Sequence, residues 1–164
     1  MAKFDDSRQT VHKILAQART EARGLGSPRV EAEHLLLALA ALIHMPAGQL
    51  LAAEGLNHDV ILKALDLEFE RSLEGVNIHL NGFFLPESKM PILGELRLAQ
   101  SAKLAIVRAN KARVSRRDHR FDSLHMLLGV LNAESGVVPR ALIAAGIDRA
   151  ALITQALAAL DRAA

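Results

Sequence analysis

The sequence repeats itself at a constant interval of 91 residues, and this repeat restricts the possible folds more than any other feature. Residues 34–39 (HLLLAL) return as residues 125–130 (HMLLGV), and residues 51–56 (LAAEGL) return as residues 142–147 (LIAAGI). The interval from 34 to 125 equals that from 51 to 142, so the two halves align without a gap. A constant interval across apolar and small positions indicates two copies of one structural unit that pack on each other.

Each copy is predicted to be helical. In the first segment, apolar side chains recur three and four positions apart at Val11, Ile14, Leu15 and Ala18, which is the spacing of one helix face. Apolar residues make up 51% of the chain but aromatic residues only 3%, a composition rich in Leu and Ala that favours helix over sheet. The order in each copy is helix, helix, short helix, helix.

These patterns predict an all-α fold in which two pseudo-symmetric four-helix repeats form a single domain over residues 1–164. Repeat one is predicted over about 8–70, the connection over about 71–92 and repeat two over about 93–162. The first long helix of repeat two is predicted over about 93–114.

The connection has a different character from the repeats. Apolar residues alternate with polar ones over residues 76–80, Asn81-Gly82 follows, and Phe83 and Phe84 come next. Alternation around Asn-Gly is typical of a β-hairpin, because the tight turn needs positive φ at both central positions. One interpretation is an ordered loop that seals the seam between the repeats; the other is that Phe83 and Phe84 help to form a partner-binding site.

Several function classes lack the residues they need. The chain has no cysteine, which excludes disulfides, thiol catalysis and cysteine-based zinc sites. No Ser/His/Asp grouping, pair of catalytic carboxylates or metal-binding motif can be assembled, so we expect no enzyme activity, no cofactor and no metal. No apolar run reaches the ~20 residues of a membrane span, and the first residues, MAKFDD, resemble no signal peptide. We therefore expect a cytoplasmic protein with no membrane partner.

Two features admit a structural and a functional interpretation. His34 and His125, each just inside a predicted helix start, are interpreted as packed residues whose rings bond nearby backbone. Basic residues crowd the stretch from 108 to 120: Arg108, Lys111, Arg113, Arg116, Arg117 and Arg120. Such a cluster fits the end of a helix, where the dipole favours cations. It also fits a contact with nucleic acid or with anionic groups on a protein partner. No aromatic residue interleaves it to stack on bases, so nucleic acid is the less favoured alternative.

The pattern over residues 18–39, which ends in Glu33-His34 and a leucine-rich helix, resembles the N-terminal repeat of Clp/Hsp100 unfoldases of the ClpC and ClpA type. Residues 123–129 resemble the same motif less closely. The sequence contains no phosphate-binding loop of the Gly-x-x-x-x-Gly-Lys-[Ser/Thr] type. The resemblance implies a freestanding double-repeat protein without ATPase modules. It would bind Clp unfoldase or protease components, client proteins or peptide-like ligands, as an adaptor, regulator or decoy in Clp-dependent proteolysis.

The resemblance also implies candidate binding residues. Glu33 occupies the position of a glutamate that holds phosphoarginine in some relatives, although alanine replaces the threonine before it. The corresponding residue of repeat two is Leu124, so two equal pockets are not expected. Cyclic peptide antibiotics bind other relatives near the starts of the two long helices. The positions matching that site here are Phe4, Leu98 and Lys103.

Overall fold

The computed structural model describes residues 2–75 and 94–163, with side chains from residue 6 onward. Within these ranges the chain forms eight helices and no β-strand longer than a single bridge. They are α1 (Ala2–Gly24), α2 (Ala32–Ala41), α3 (Pro46–Ala53), α4 (His58–Glu74), α5 (Gln100–Arg116), α6 (Ser123–Leu131), α7 (Val137–Ala144) and α8 (Arg149–Ala163). The predicted all-α class is confirmed, whereas the predicted hairpin, with Phe83 and Phe84, lies outside the described residues.

The two central helices, α2 and α6, carry the core. Beyond their first turns their sequences are apolar all round, and almost every residue of both helices is buried. A helix without a polar face must be covered on every side. Accordingly α2 packs on α1 and α4, α6 packs on α5 and α8, and α2 and α6 touch each other across the pseudo-symmetric centre. No single helix in the described ranges is both long and apolar enough to cross a membrane.

The first helix of repeat two begins later than its sequence pattern predicts. It starts at Gln100, and the residues just before it are extended rather than helical. The Val30 amide donates to the Arg97 carbonyl at 2.9 Å, and the Ala99 amide donates to the Val30 carbonyl at 2.8 Å. This parallel bridge ties the segment before α2 to the segment before α5. The partner lies in the other repeat, so local periodicity could not reveal it.

The ends of α1 and α5 offer a stability prediction, because equivalent positions carry glycine in one repeat and arginine in the other. Gly26 has φ of 67°, and Arg117, the residue 91 positions later, has φ of 61°. The left-handed region costs a side-chain-bearing residue roughly 1–2 kcal/mol, while glycine adds some entropy to the unfolded state. Arg117→Gly should therefore raise the free energy of unfolding by about 0.5–1 kcal/mol and the Tm by about 1–4 °C.

Thermal unfolding followed by circular dichroism would check this prediction. The reciprocal variant, Gly26→Arg, is the matched control and should lower the Tm. A Tm for Arg117→Gly at or below that of the parent chain would contradict the expected strain.

Candidate functional site

Histidine side chains hold the starts of both central helices in the same way. His34 Nδ1 accepts the Glu31 amide at 2.8 Å, and His125 Nδ1 accepts the Asp122 amide at 2.9 Å. Each histidine thus takes the place of the Glu or Gln that closes a capping box. Both rings are almost fully buried, which confirms that these residues are packed and bond nearby backbone.

The remaining ring nitrogen distinguishes the two repeats. His125 Nε2 lies 2.8 Å from the Asp118 carboxylate, which also accepts from Arg116 Nε at 2.9 Å. Burial raises the pKa of Asp118, but the hydrogen bonds from His125 and Arg116 outweigh it and leave that pKa below its usual value. At the position equivalent to Asp118, repeat one has Ser27. There burial lowers the pKa of His34, opposed in part by the Glu31 and Glu21 carboxylates.

A cleft of about 710 Å³ lies between the two repeats, beside the start of α2. Its walls come from residues 31–33, from one face of α5, and from the segment 132–140 that leads into α7. Carboxylates and guanidinium groups both line it: Glu31, Glu33, Glu134, Arg108 and Arg140. We call this site the Glu33 cleft. It offers charges of both signs within one concave surface.

Ser101 of α5 fixes the floor of the Glu33 cleft. Its hydroxyl accepts the Ala32 amide at 2.9 Å and donates to the Glu31 carboxylate. The hydroxyl therefore satisfies a free amide at the start of α2 and holds Glu31 against α5. Glu33, two residues further on, is half-buried at the cleft surface.

The arginines of the Glu33 cleft are held by contacts across the fold. Arg140 Nε donates to the Glu68 carboxylate at 2.7 Å, and the Ser72 hydroxyl donates to the same oxygen. Burial raises the pKa of Glu68, but these two hydrogen bonds and the charge of Arg140 bring it below its usual value. The Arg140 side chain is still 57% exposed. Arg108 Nε donates to the Gly129 carbonyl at 2.9 Å.

Glu33 should reduce the stability of the folded chain at neutral pH. Burial raises the pKa of this carboxyl, and the neighbouring carboxylates of Glu31 and Glu68 add to the effect. Because the folded state holds the proton more tightly than the unfolded state, stability is lost as the pH rises through the folded-state pKa. Glu33→Gln should therefore melt at a higher temperature than the parent chain at pH 7. The difference in Tm between the two should become smaller as the pH falls towards about 4.

Melting curves at pH 4, 5, 6 and 7 test this, with the exposed Glu70→Gln as the matched substitution. A Glu33→Gln variant that is less stable than the parent at pH 7 would contradict the expected cost of the buried charge. Such a cost is what a site kept for binding would show.

The equivalent position in repeat two is used differently. Leu124 is 1% exposed and belongs to the core. A core leucine therefore stands in repeat two where repeat one has the Glu33 carboxylate.

The other predicted site residues do not join Glu33. Leu98 and Lys103 line a separate groove of about 550 Å³, which we call the Lys103 groove. Arg19, Arg29 and Arg97 also line it, and Arg19 pairs with Glu95 at 3.0 Å. Phe4 lies outside the described side chains, and Phe83 and Phe84 lie outside the described ranges.

Sequence reasoning missed Ser101, Glu134 and Arg140, and it assigned Arg108 only to the basic stretch. No periodicity or motif marks them, because they reach the cleft from two segments, α5 and residues 132–140, that are both distant in sequence from Glu33. The basic stretch itself does not present a single cationic face. Arg116 also pairs with Asp161 at 2.7 Å, and Arg120 lies 3.4 Å from Asp6.

Among the described residues, no group of three or more His, Asp or Glu side chains is placed to hold a metal ion. The chemistry that the Glu33 cleft does offer is recognition. Its carboxylates can accept from a guanidinium or ammonium group, and its arginines can donate to an anionic group.

Comparison of the structure with solved structures finds close likenesses over most of the chain. The N-terminal domain of the caseinolytic protease associated chaperone ClpD from Arabidopsis thaliana superposes with a TM-score of 0.64 at 20% identity, over 91% of this chain and 90% of that one. The Hsp104 N-terminal domain from Candida albicans superposes with a TM-score of 0.61 at 21% identity, over 90% of this chain and 87% of that one. A structure from work on a malarial protein secretion system superposes with a TM-score of 0.60 at 18% identity, over 90% of this chain and 88% of that one.

No protein-family model matches the sequence, and no curated protein sequence matches it. The chain therefore shares the fold of Clp/Hsp100 N-terminal domains, as the resemblance in the sequence predicted, at 20–21% sequence identity.

Proposed function

We propose that this chain is a non-catalytic module that binds protein segments and works in Clp-dependent proteolysis as an adaptor, regulator or decoy. The observation that carries the proposal is the Glu33 cleft, in which a half-buried carboxylate faces a cavity that exposed Arg140 also lines. The fold shared with the ClpD and Hsp104 N-terminal domains supports the same assignment.

The charges of the Glu33 cleft suit a side chain that carries both signs. The Glu33 carboxylate accepts the guanidinium of an arginine, while Arg140 donates to a phosphate attached to it. A phosphorylated arginine in a client segment combines both groups. An arginine without phosphate would engage only the carboxylate, so it should bind more weakly.

Isothermal titration with three peptides of one sequence, carrying phosphoarginine, arginine or serine at the centre, tests the ligand. We expect affinity in that order, and Glu33→Gln should weaken binding of the first two about tenfold. Arg140→Gln should reduce the preference for phosphate, and Glu70→Gln should change nothing. Equal binding of all three peptides, or an unchanged affinity in Glu33→Gln, would contradict the assignment.

A reconstituted degradation assay tests the biological role. The chain is added to a Clp unfoldase, its peptidase and a tagged client, and the rate of client loss is followed. An adaptor accelerates degradation, whereas a decoy slows it and the inhibition is relieved by excess client. A rate unchanged by folded protein at any ratio would refute a role in this pathway.

The Lys103 groove is the proposed site for cyclic peptides, because Leu98 and Lys103 both line it. The ligands tested are the cyclic peptide antibiotics of related domains, and Lys103→Gln should weaken their binding while Glu33→Gln should not. If neither variant binds the cyclic peptides more weakly than the parent chain, this assignment is wrong.

Nucleic-acid binding through residues 108–120 remains the alternative function. It predicts an affinity for mixed DNA or RNA that falls steeply with salt. Arg116 and Arg120 are already paired with carboxylates, which supports the helix-end interpretation of the cluster instead.

A further inference from the structure

A second groove, of about 490 Å³, lies between the start of α1 and the end of α5. Its apolar walls are Val11 and Leu15 from α1 and Phe121 from the segment before α6. All three side chains are partly exposed, so their apolar surface is open to a ligand. We call this site the Arg113 groove, after the α5 arginine on its rim.

The rim of the Arg113 groove is cationic. Arg8 and Arg113 line it, together with His12, His119 and two neutral polar residues, and no carboxylate in the described part of the chain does so. The Arg113 guanidinium donates to the Asn110 side-chain oxygen at 3.2 Å and to the Asp118 carbonyl at 3.1 Å. Both acceptors are neutral, so these contacts orient the guanidinium without cancelling its charge.

Two carboxylates that flank the groove residues in the sequence are engaged elsewhere. Asp118 is bonded to His125 and Arg116, and Asp6 lies near Arg120. Among the described side chains, Arg113 and Arg8 have no carboxylate partner within 4.0 Å. Among the described side chains, the groove thus combines an apolar floor with two guanidinium groups that no carboxylate neutralises.

The 91-residue repeat relates this groove to the Lys103 groove. Ser7, His12 and Asn110 of the Arg113 groove correspond to Leu98, Lys103 and Arg19 of the other. The Lys103 groove is also rich in cations, but there Arg19 is paired with Glu95. The two repeats therefore present cationic grooves at equivalent places. Among the described lining residues, the Lys103 groove includes the Glu95 carboxylate and the Arg113 groove includes none.

We propose that the Arg113 groove binds an acidic protein segment that places one large apolar side chain between flanking carboxylates. The apolar side chain packs against Val11, Leu15 and Phe121, where it loses contact with water. The flanking carboxylates pair with Arg8 and Arg113, whose planar guanidinium groups suit bidentate contacts. This site goes beyond the proposed function, because it is separate from the Glu33 cleft and selects an acidic segment with an apolar side chain, whereas the Glu33 cleft suits a side chain that carries both signs.

Fluorescence polarisation with the full chain and labelled peptides tests the proposal. The probe is Asp-Glu-Leu-Glu-Asp, compared with Asp-Glu-Ser-Glu-Asp and Lys-Lys-Leu-Lys-Lys. We expect the first peptide to bind, the serine peptide to bind about tenfold more weakly, and the lysine peptide not to bind. Equal binding of the leucine and serine peptides, or no binding of the acidic leucine peptide, would overturn the proposal.

Substitutions locate the binding. Arg113→Gln and Arg8→Gln should each weaken the acidic leucine peptide about tenfold, while Arg162→Gln, at the exposed end of α8, should not. Arg8 is exposed, so its variant keeps the test valid if Arg113→Gln disturbs the end of α5. Glu33→Gln should leave this affinity unchanged, which separates failure here from failure of the Glu33 cleft.

An unlabelled single-stranded oligonucleotide serves as competitor at 150 mM salt. It should fail to displace the acidic leucine peptide. Displacement at equal concentration would assign the rim to nucleic acid and overturn the proposal, as would unchanged affinity in both arginine variants.

Discussion

Gly129→Ala is expected to destabilise the protein by about 3 kcal/mol, because α6 leaves no room for one methyl group. A Cβ added at Gly129 would lie 2.1 Å from the Ala105 carbonyl oxygen and 2.8 Å from the Ala109 Cβ. Both contacts are far below van der Waals distance, and one of them is to backbone. The helices α5 and α6 must therefore move apart. The gain in helix propensity, about 1 kcal/mol, is too small to offset that movement.

Gly24→Ala is the matched control, since a Cβ at Gly24 would meet nothing within 4 Å. It lies at the end of α1, and its replacement should be neutral or stabilising by up to about 1 kcal/mol. Urea unfolding followed at 222 nm measures both variants. A midpoint for Gly129→Ala equal to that of the parent chain would show that the two helices separate at little cost.

His125→Ala is expected to cost about 3 kcal/mol as well, through a cavity and the loss of two hydrogen bonds. The ring is 1% exposed. Its Nδ1 accepts the Asp122 amide, so its proton sits on Nε2 and is donated to Asp118. Removing the ring leaves the Asp122 amide without its acceptor and Asp118 with only Arg116.

His125→Gln separates these contributions. Glutamine is a normal closing residue of a capping box, so it can accept the Asp122 amide but leaves Asp118 without the imidazole. In urea unfolding, we expect the free energy of unfolding of His125→Gln to lie between that of the parent chain and that of His125→Ala. The exposed His44→Ala should change stability by no more than about 0.5 kcal/mol. If His125→Ala unfolded with the parent's midpoint, the buried cap would be dispensable.

The general architecture could be predicted from the sequence, and the start of one helix could not. Helical class, the order of helices in each repeat and the packed role of His34 and His125 follow from residue spacing and are confirmed. The predicted start of α5 was wrong, because the extended residues before this helix pair with Val30, about 70 positions earlier. Local periodicity carries no information about such a partner.

The candidate site was predicted only in part. Glu33 lies in a cleft, but Lys103 lines a different groove. No sequence motif indicated that Arg140 lines the Glu33 cleft. The binding roles of Glu33, Leu98 and Lys103 stay predictions until the titrations are done. A site built from three distant segments can be recognised only once those segments are brought together.

By itself, the 91-residue repeat determined that this protein is two copies of a helical unit, because apolar spacing and helix caps are local properties of the chain. Tertiary structure decided how the copies differ. The contact of Gly129 with α5, the Asp118 contact of His125 and the Glu33 cleft each depend on residues far apart in sequence. Packing and charge pairing across such distances depend on where the helices meet, and no repeating pattern records that position.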